Sequence, residues 1–237
     1  MTLDRKMILI SYYIESIKRA KKLGYYCIIY TNKECFKYFE DLVDEILLIE
    51  NYESILFDGI KAHIMGLRDD EFCLIDGDLI LNKKLPDFKT DVVFDTYEIQ
   101  NWEDVYQPVI NQLDKLGIGN HINIWDTQKI PVINTGILFI KNIKIRKEWF
   151  TFFNIFNNFI KNLNDEHKIE THYAALVGGQ YLLTLLLNKT SEVRGEFFNN
   201  NNEFYRHYAT KGKYYNPPFS YKHLISEELK SIKKNIL

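Results

Sequence analysis

The chain has 237 residues, 46% hydrophobic and 26% charged, a composition that suits an α/β protein with one sizeable core. Its 30 basic and 32 acidic residues leave a formal charge of -2, so no global positive field draws it to nucleic acid or to an anionic membrane. No run reaches the roughly 20 apolar residues of a membrane helix, and no apolar stretch with a small-residue cleavage site opens the chain, so the expectation is a cytoplasmic protein without a transmembrane segment.

In chain order, Tyr13, Ile14, Ile17 and Ala20 recur at helical spacing between Ser11 and Leu23, and Gly24 stops the pattern. Lys6 to Ile10 reads equally well as a short first strand or as the start of that helix. A strand over Tyr25 to Tyr30, a helix around Glu34 to Leu42 and a strand over Glu45 to Ile49 follow. Phe72 to Ile75, Val92 to Phe94 and Ile137 to Ile140 are continuous apolar runs, as buried strands of a largely parallel sheet are. Trp102 to Trp125 reads as an aromatic-rich loop whose rings either stack on a ligand or pack in the core, the commoner use. Residues 142 to 163 and 172 to 188 read as helices, the second closing on Asn188 as a left-handed cap. Asn199 to Asn202 is a polar run expected to be a mobile loop, and a last helix begins near Ser226, after Pro217-Pro218. Alternating strands and helices argue for an α/β fold in a single domain. The cysteines Cys27, Cys35 and Cys73 are odd in number and have no zinc spacing, and Cys27 and Cys73 lie in apolar runs, as reduced buried thiols do.

The feature that points to chemistry is Asp76-Gly77-Asp78, directly after the apolar run Phe72 to Ile75. Open α/β sheets bind ligands at the carboxyl ends of their strands. Two carboxylates placed there call for a cation, and their oxygens suit Mg²⁺ or Mn²⁺ bridging to a diphosphate. Gly77 allows the backbone to turn and a ligand to approach closely. A hydrophilic turn after a core strand is the plain alternative, and for an Asp-x-Asp alone the two readings balance.

Other segments keep it company. Ala20 to Gly24 and Ile28 to Thr31 precede it as helix end and strand, and Gly59-Ile60-Lys61-Ala62 stands just upstream. Val132-Ile133-Asn134-Thr135-Gly136-Ile137-Leu138, Gly179-Gln180 and His207-Tyr208-Ala209-Thr210-Lys211-Gly212-Lys213 follow. In this order and spacing the segments resemble the GT-A glycosyltransferases, most closely the glycogenin-like and lipopolysaccharide-type sugar transferases, over roughly residues 10 to 213.

The resemblance implies a GT-A fold, with a Rossmann-like, mostly parallel central sheet flanked by helices. Within one domain it implies a nucleotide-binding half to about residue 95, a sugar- and acceptor-binding half over about 96 to 215, and a tail helix over 216 to 237. It implies Asp76, Asp78 and His207 as metal ligands. Asp76, Lys61, Thr31, Lys211, Gly212 and Lys213 would hold the nucleotide, although Lys211 and Lys213 also read as solvated lysines of a loop. Asn134, Gln180 and Asp95 would stand at the reacting sugar, and Asp95 and Glu98 are candidates for binding donor or acceptor hydroxyls. In the family an acidic residue that holds sugar hydroxyls usually precedes the Gln; here Gly179 stands in that place, which leaves the sugar open. The implied activity is metal-dependent transfer of a hexose from a UDP-sugar, glucose first, to a glycan or other hydroxyl acceptor with retention. Mn²⁺ or Mg²⁺ is the implied cofactor, nucleic acid is not a partner, and a homodimer is compatible.

Three other readings compete. Haloacid-dehalogenase-type phosphatases also carry Asp-x-Asp after an apolar strand, but with Thr or Val where Ile80 stands and on the first strand of the fold. Sugar nucleotidyltransferases have a glycine-rich, Arg/Lys-bearing N-terminal loop that this chain lacks. A non-catalytic protein that kept the fold and binds nucleotide sugar or glycan is the remaining alternative.

Overall fold

A computed structural model describes residues 3–49, 56, 59–98, 102–167, 169–196 and 203–207. The expectations for Asn199 to Asn202 and for a helix from Ser226 lie outside the described residues. In chain order the elements are α1 (Leu3–Lys22), β1 (Ile28–Thr31), β2 (Glu45–Leu48), α2 (Gly59–Leu67), β3 (Leu74–Ile75), β4 (Leu79–Leu81), β5 (Val92–Phe94) and β6 (Tyr97–Glu98). They continue with α3 (Gln107–Lys115), β7 (Val132–Ile133), β8 (Ile137–Ile140), α4 (Ile143–His167), α5 (Thr171–Leu176), α6 (Leu182–Asn188), β9 (Arg194–Glu196) and β10 (Tyr205–His207). The protein is mixed α/β. No helix among the described residues is long and apolar enough to cross a membrane.

The chain forms two compact units. The first draws on Met1–Asn51, Asp76–Asp87 and Asn199–Leu237, the second on Tyr52–Ile75 and Phe88–Phe198.

In the first unit Lys6 to Ile10 belongs to α1, so no strand precedes β1 among the described residues. Met7, Ile10 and Ile14 form the buried stripe of α1 and pack with Ile29 and Phe39 in a small core. Gly24 ends the helix at φ 83°, a left-handed conformation that glycine adopts without strain. β1 and β2 pair in parallel, Ile28 opposite Glu45. Between them the expected helix over Glu34 to Leu42 shrinks to a single 3-10 turn, Phe36–Tyr38. The Asn32 side-chain oxygen accepts the Cys35 N–H at 3.0 Å, the bond an N-cap residue makes, so the segment opens as a helix does and stops after one turn. β4 and β10 form an antiparallel pair.

The second unit holds the larger core. Its sheet runs β3-β8-β5-β9, with β8 antiparallel to both β3 and β5 and only β5–β9 parallel. The expectation of a mostly parallel sheet is therefore met only in β1–β2 and β5–β9. The reason lies in the chain path: β5 continues into β6, which pairs antiparallel with β7, and β7 leads straight into β8. The chain thus comes back along its own track as a long hairpin, and β8 must run against β5. Strands buried on both faces read as continuous apolar runs in either direction, so the pattern could not tell the two apart.

Asn142 caps α4, its side-chain oxygen accepting the Lys144 N–H at 3.0 Å. Ile145, Trp149, Phe153, Phe156 and Ile160 then recur at three and four residues and are all buried, the stripe expected of a helix lying on a core. Arg146 on α4 donates to the carbonyls of Asp70 (2.9 Å) and Asp69 (3.4 Å), tying down the loop that feeds β3. The segment 172 to 188 is helical as expected, but its middle, Val177–Tyr181, is wound as a π-helix, and its cap Lys189 sits at φ -92° instead of a left-handed Asn188. The expected loop from Trp102 is also helical at first: a π-helical turn, Trp102–Tyr106, runs into α3. Its aromatics go to the core. Trp102 lies against Tyr106 and Tyr181, and Trp125 against Phe156 and Tyr181.

Candidate functional site

The carboxylate motif belongs to the first unit. After β3 the chain turns through Gly77 and Asp78, and the Leu79 N–H donates to the Asp76 carbonyl at 3.0 Å, closing a four-residue turn with the two carboxylates two residues apart. Asp76 and Asp78 are both half-buried. The Ser16 hydroxyl, from α1, donates to the Leu79 carbonyl at 2.7 Å and fixes the far side of the turn. Gly77 also makes room for a neighbour the sequence did not reveal. The Tyr13 ring lies on it so closely that a Cβ would stand 2.2 Å from Tyr13 Cε1, although Gly77 is not in a left-handed conformation. The close approach expected from a ligand is here made by an aromatic ring, itself 43% exposed.

In the β4–β10 ladder His207 stands opposite Leu79, the residue after Asp78. The backbone of the proposed third ligand is thus registered next to the carboxylate turn, while its side chain lies outside the described residues, as do Lys211, Gly212 and Lys213. No group of three His, Cys, Asp or Glu side chains placed to hold a metal occurs among the described residues. Thr31, the last residue of β1, is buried and accepts the Ile49 N–H on its carbonyl at 2.9 Å.

The second unit gathers the other singled-out residues around Asn134, in the turn between β7 and β8. The Asn134 side-chain oxygen accepts the Gly136 N–H at 2.8 Å, its backbone N–H donates to Thr96 O at 2.7 Å, and its carbonyl accepts the Asp95 N–H at 3.2 Å. These bonds leave its amide NH₂ facing one carboxylate oxygen of Glu98, with which it makes a short hydrogen bond. The other Glu98 oxygen accepts from the Tyr106 hydroxyl at 2.8 Å, and Tyr106 also lies 2.6 Å from the Gln180 side-chain oxygen position. A phenol has one proton, so the two neighbours cannot both accept it. With the Gln180 amide turned so that its NH₂ donates to Tyr106, Tyr106 accepts from Gln180 and donates to Glu98. Gln180 is held from behind by Thr184, whose hydroxyl donates to the Gln180 carbonyl at 2.8 Å and accepts the Ile133 N–H at 3.1 Å. Lys61 reaches over from α2 to donate to the Thr135 hydroxyl at 3.0 Å and its carbonyl at 3.4 Å.

Asn134, Gln180, Asp95 and Lys61 are therefore neighbours within one unit, and Glu98 and Tyr106 join them. Tyr106 escaped the sequence reading. It is one of 16 tyrosines, and the signal it carries, an apolar position four residues after Trp102, points to the core.

Two groups of this unit set its response to base. Burial pushes the Cys73 thiol up from 9.0 to about 12 and holds the Tyr181 phenol, which donates to Asp126 O at 2.6 Å, well above its usual range. The folded protein keeps these protons where the unfolded chain gives them up. Stability is therefore whole below the unfolded values and falls as pH rises past about 9, with Cys73 and Tyr181 both contributing. Urea midpoints at about pH 8 and about pH 10 check this; equal midpoints contradict it.

Compared with known proteins, the chain matches no family model, no curated protein and no solved structure.

Proposed function

We propose that the protein is a metal-dependent glycosyltransferase that moves a hexose, glucose first, from a UDP-sugar to a glycan or other hydroxyl acceptor with retention, acting in the cytoplasm. The observation that carries this reading is the closed turn with Asp76 and Asp78 two residues apart directly after β3, and the registration of His207 beside it. The ordered motifs that resemble the GT-A enzymes supply the reaction class. The donor set fits the metal: two carboxylates on a short hydrogen-bonded turn are the hard oxygen ligands that Mn²⁺ or Mg²⁺ takes, with most positions left for phosphate and water.

When bound, the cation supplies electrostatic stabilisation of the negative charge that gathers on the departing UDP. Asp76 and Asp78 hold it, with His207 as third ligand. In the transfer itself the bond from the anomeric carbon to the phosphate oxygen breaks with its electron pair going to UDP. The acceptor oxygen bonds to that carbon, and its proton passes to the leaving phosphate, so retention asks for no carboxylate base on the far face. For the sugar, the GT-A resemblance assigns Asn134, Gln180 and Asp95, which lie together in the second unit.

The test is calorimetric titration of UDP into the wild-type protein and into Asp78→Ala, with Mn²⁺ and with EDTA. Binding is expected with Mn²⁺ only, and Asp78→Ala weakens it by at least about ten-fold, the loss that follows removal of a metal ligand's charge from a phosphate site. Equal binding in EDTA, or in a folded Asp78→Ala, overturns the reading. Binding with no turnover of any UDP-sugar turns it into the non-catalytic alternative.

A further inference from the structure

We propose that the C-terminal end of α1 docks on an anionic lipid surface, with Lys18, Arg19, Lys22 and Lys84 toward the headgroups and Tyr26 seated at their level. The surface lies wholly in the first unit, and the inference goes beyond the transferase reading without resting on it.

Lys22 follows Lys18 by four residues of α1 and Arg19 by three, so the three cations share one face of the helix, and all are exposed. Tyr25 brings the exposed Lys84 to the same helix end. Its N–H donates to the Ala20 carbonyl at 3.1 Å, its hydroxyl accepts the Leu85 N–H at 2.6 Å, and its ring centroid lies 5.9 Å from the Lys84 ammonium. Tyr26, next in the chain, is 69% exposed, more than any other large hydrophobic side chain among the described residues. Two neighbouring lysines are neutralised, Lys21 by Asp44 and Lys83 by Glu203. Among the described residues Lys18, Arg19, Lys22 and Lys84 have no ion pair, although Glu15 lies on the same helix face as Lys18 and Arg19.

The fold alone explains this cluster poorly. The helix dipole favours cations in the last turn, which covers Arg19, Lys21 and Lys22 but leaves Lys18 outside it. At these spacings Lys18 and Arg19 each repel Lys22, which weakens the helix. Because the whole chain has a formal charge of -2, attraction to an anionic partner is confined to this end. A plane of lipid headgroups matches it. Lysine ammonium groups reach into such a plane from their apolar stems, and an exposed tyrosine suits the boundary where one end of the ring is apolar and the other wet. A nucleic-acid strand asks instead for a cationic groove with successive rings for its bases. Docking by this face leaves the carboxylate turn open: Tyr13, which lies on Gly77, precedes Lys22 by nine residues, about two and a half helical turns, and so stands on the opposite side of α1.

The experiment is co-sedimentation of the full chain with vesicles of phosphatidylcholine alone and of phosphatidylcholine with about 30% phosphatidylserine. The proteins are wild type, Lys18→Gln with Lys22→Gln, Tyr26→Ser, and Lys115→Gln with Lys144→Gln, an exposed pair of the second unit that changes net charge equally. Thermal unfolding checks that each is folded. Wild type is expected to bind the anionic vesicles only and to leave them as salt rises. Loss of Lys18 and Lys22 weakens that binding by about twenty-five-fold, about five-fold for each cation, while the control pair stays within about two-fold. Tyr26→Ser weakens it by about three-fold or more through lost apolar contact, and carries the test if the double variant of α1 does not fold. All the folded variants keep the UDP binding of the wild type, so failure here is separate from failure of the transferase reading. Sedimentation with neither vesicle, whether or not the protein binds single-stranded RNA, overturns the inference, as does equal binding to both vesicles or an equal loss in the control pair.

Discussion

Trp149→Ala is expected to destabilise the protein by about 3–5 kcal/mol, the cost of emptying a large aromatic site in a well-packed core. Trp149 is 1% exposed and sits mid-stripe on α4, between Ile145 and Phe153. Its indole N–H is also the donor to the Gly179 carbonyl, inside the π-helical turn that carries Gln180. The substitution thus removes packing and one of the two donors to the Gly179 carbonyl, which keeps the Leu182 N–H. Trp149→Phe separates the two terms: most of the volume returns and the Gly179 carbonyl keeps the Leu182 N–H, so the loss should drop to about 1 kcal/mol, the net worth of one hydrogen bond. Urea unfolding with a constant slope checks both values. If Trp149→Phe costs as much as Trp149→Ala, packing at this point is not what holds the unit together.

Gly178→Val is the second large effect, and its cause is the opposite one. A Cβ at Gly178 would stand 2.7 Å from Cδ1 and 2.8 Å from Cε1 of Phe156 and 3.3 Å from Phe153, and both rings are fully buried. Neither has open space to move into, so a branched side chain forces α4 and the π-helical turn apart, at about 3 kcal/mol by the usual cost of overpacking. Because Gln180 lies two residues on, the same shift pulls its amide away from Tyr106. A thermal midpoint within about 1 °C of wild type, where a 1 kcal/mol loss already moves a chain of this size by several degrees, contradicts it.

How much of this was legible beforehand depended on the range of the interactions. The apolar stripes of α1 and α4 and the stop at Gly24 are local, and they read directly from residue spacing. The helix over Glu34 to Leu42 goes no further than one 3-10 turn although Asn32 caps its start, and no residue in the local spacing marks that early stop. The direction of β8 was hidden because a strand covered on both faces has one pattern for parallel and antiparallel neighbours. At the candidate site, Asp76 and Asp78 stood out as carboxylates after an apolar strand, but the packing of Tyr13 on Gly77 needs α1 brought to that turn. Tyr106 was invisible for the same reason. Its meaning comes from Gln180, 74 residues away, and from a π-helical winding that no residue pattern announces.

The central claim, that Asp76 and Asp78 hold a divalent cation with the nucleotide, is tested most directly by paramagnetic broadening. Mn²⁺ is added in small steps to the ¹⁵N-labelled protein in the presence of UDP, and the amide signals are followed residue by residue. The account predicts that the signals of Asp76 to Leu79 fade first, together with those of Tyr205 to His207 across the ladder from Leu79. Broadening centred elsewhere, with these residues unaffected, would contradict it.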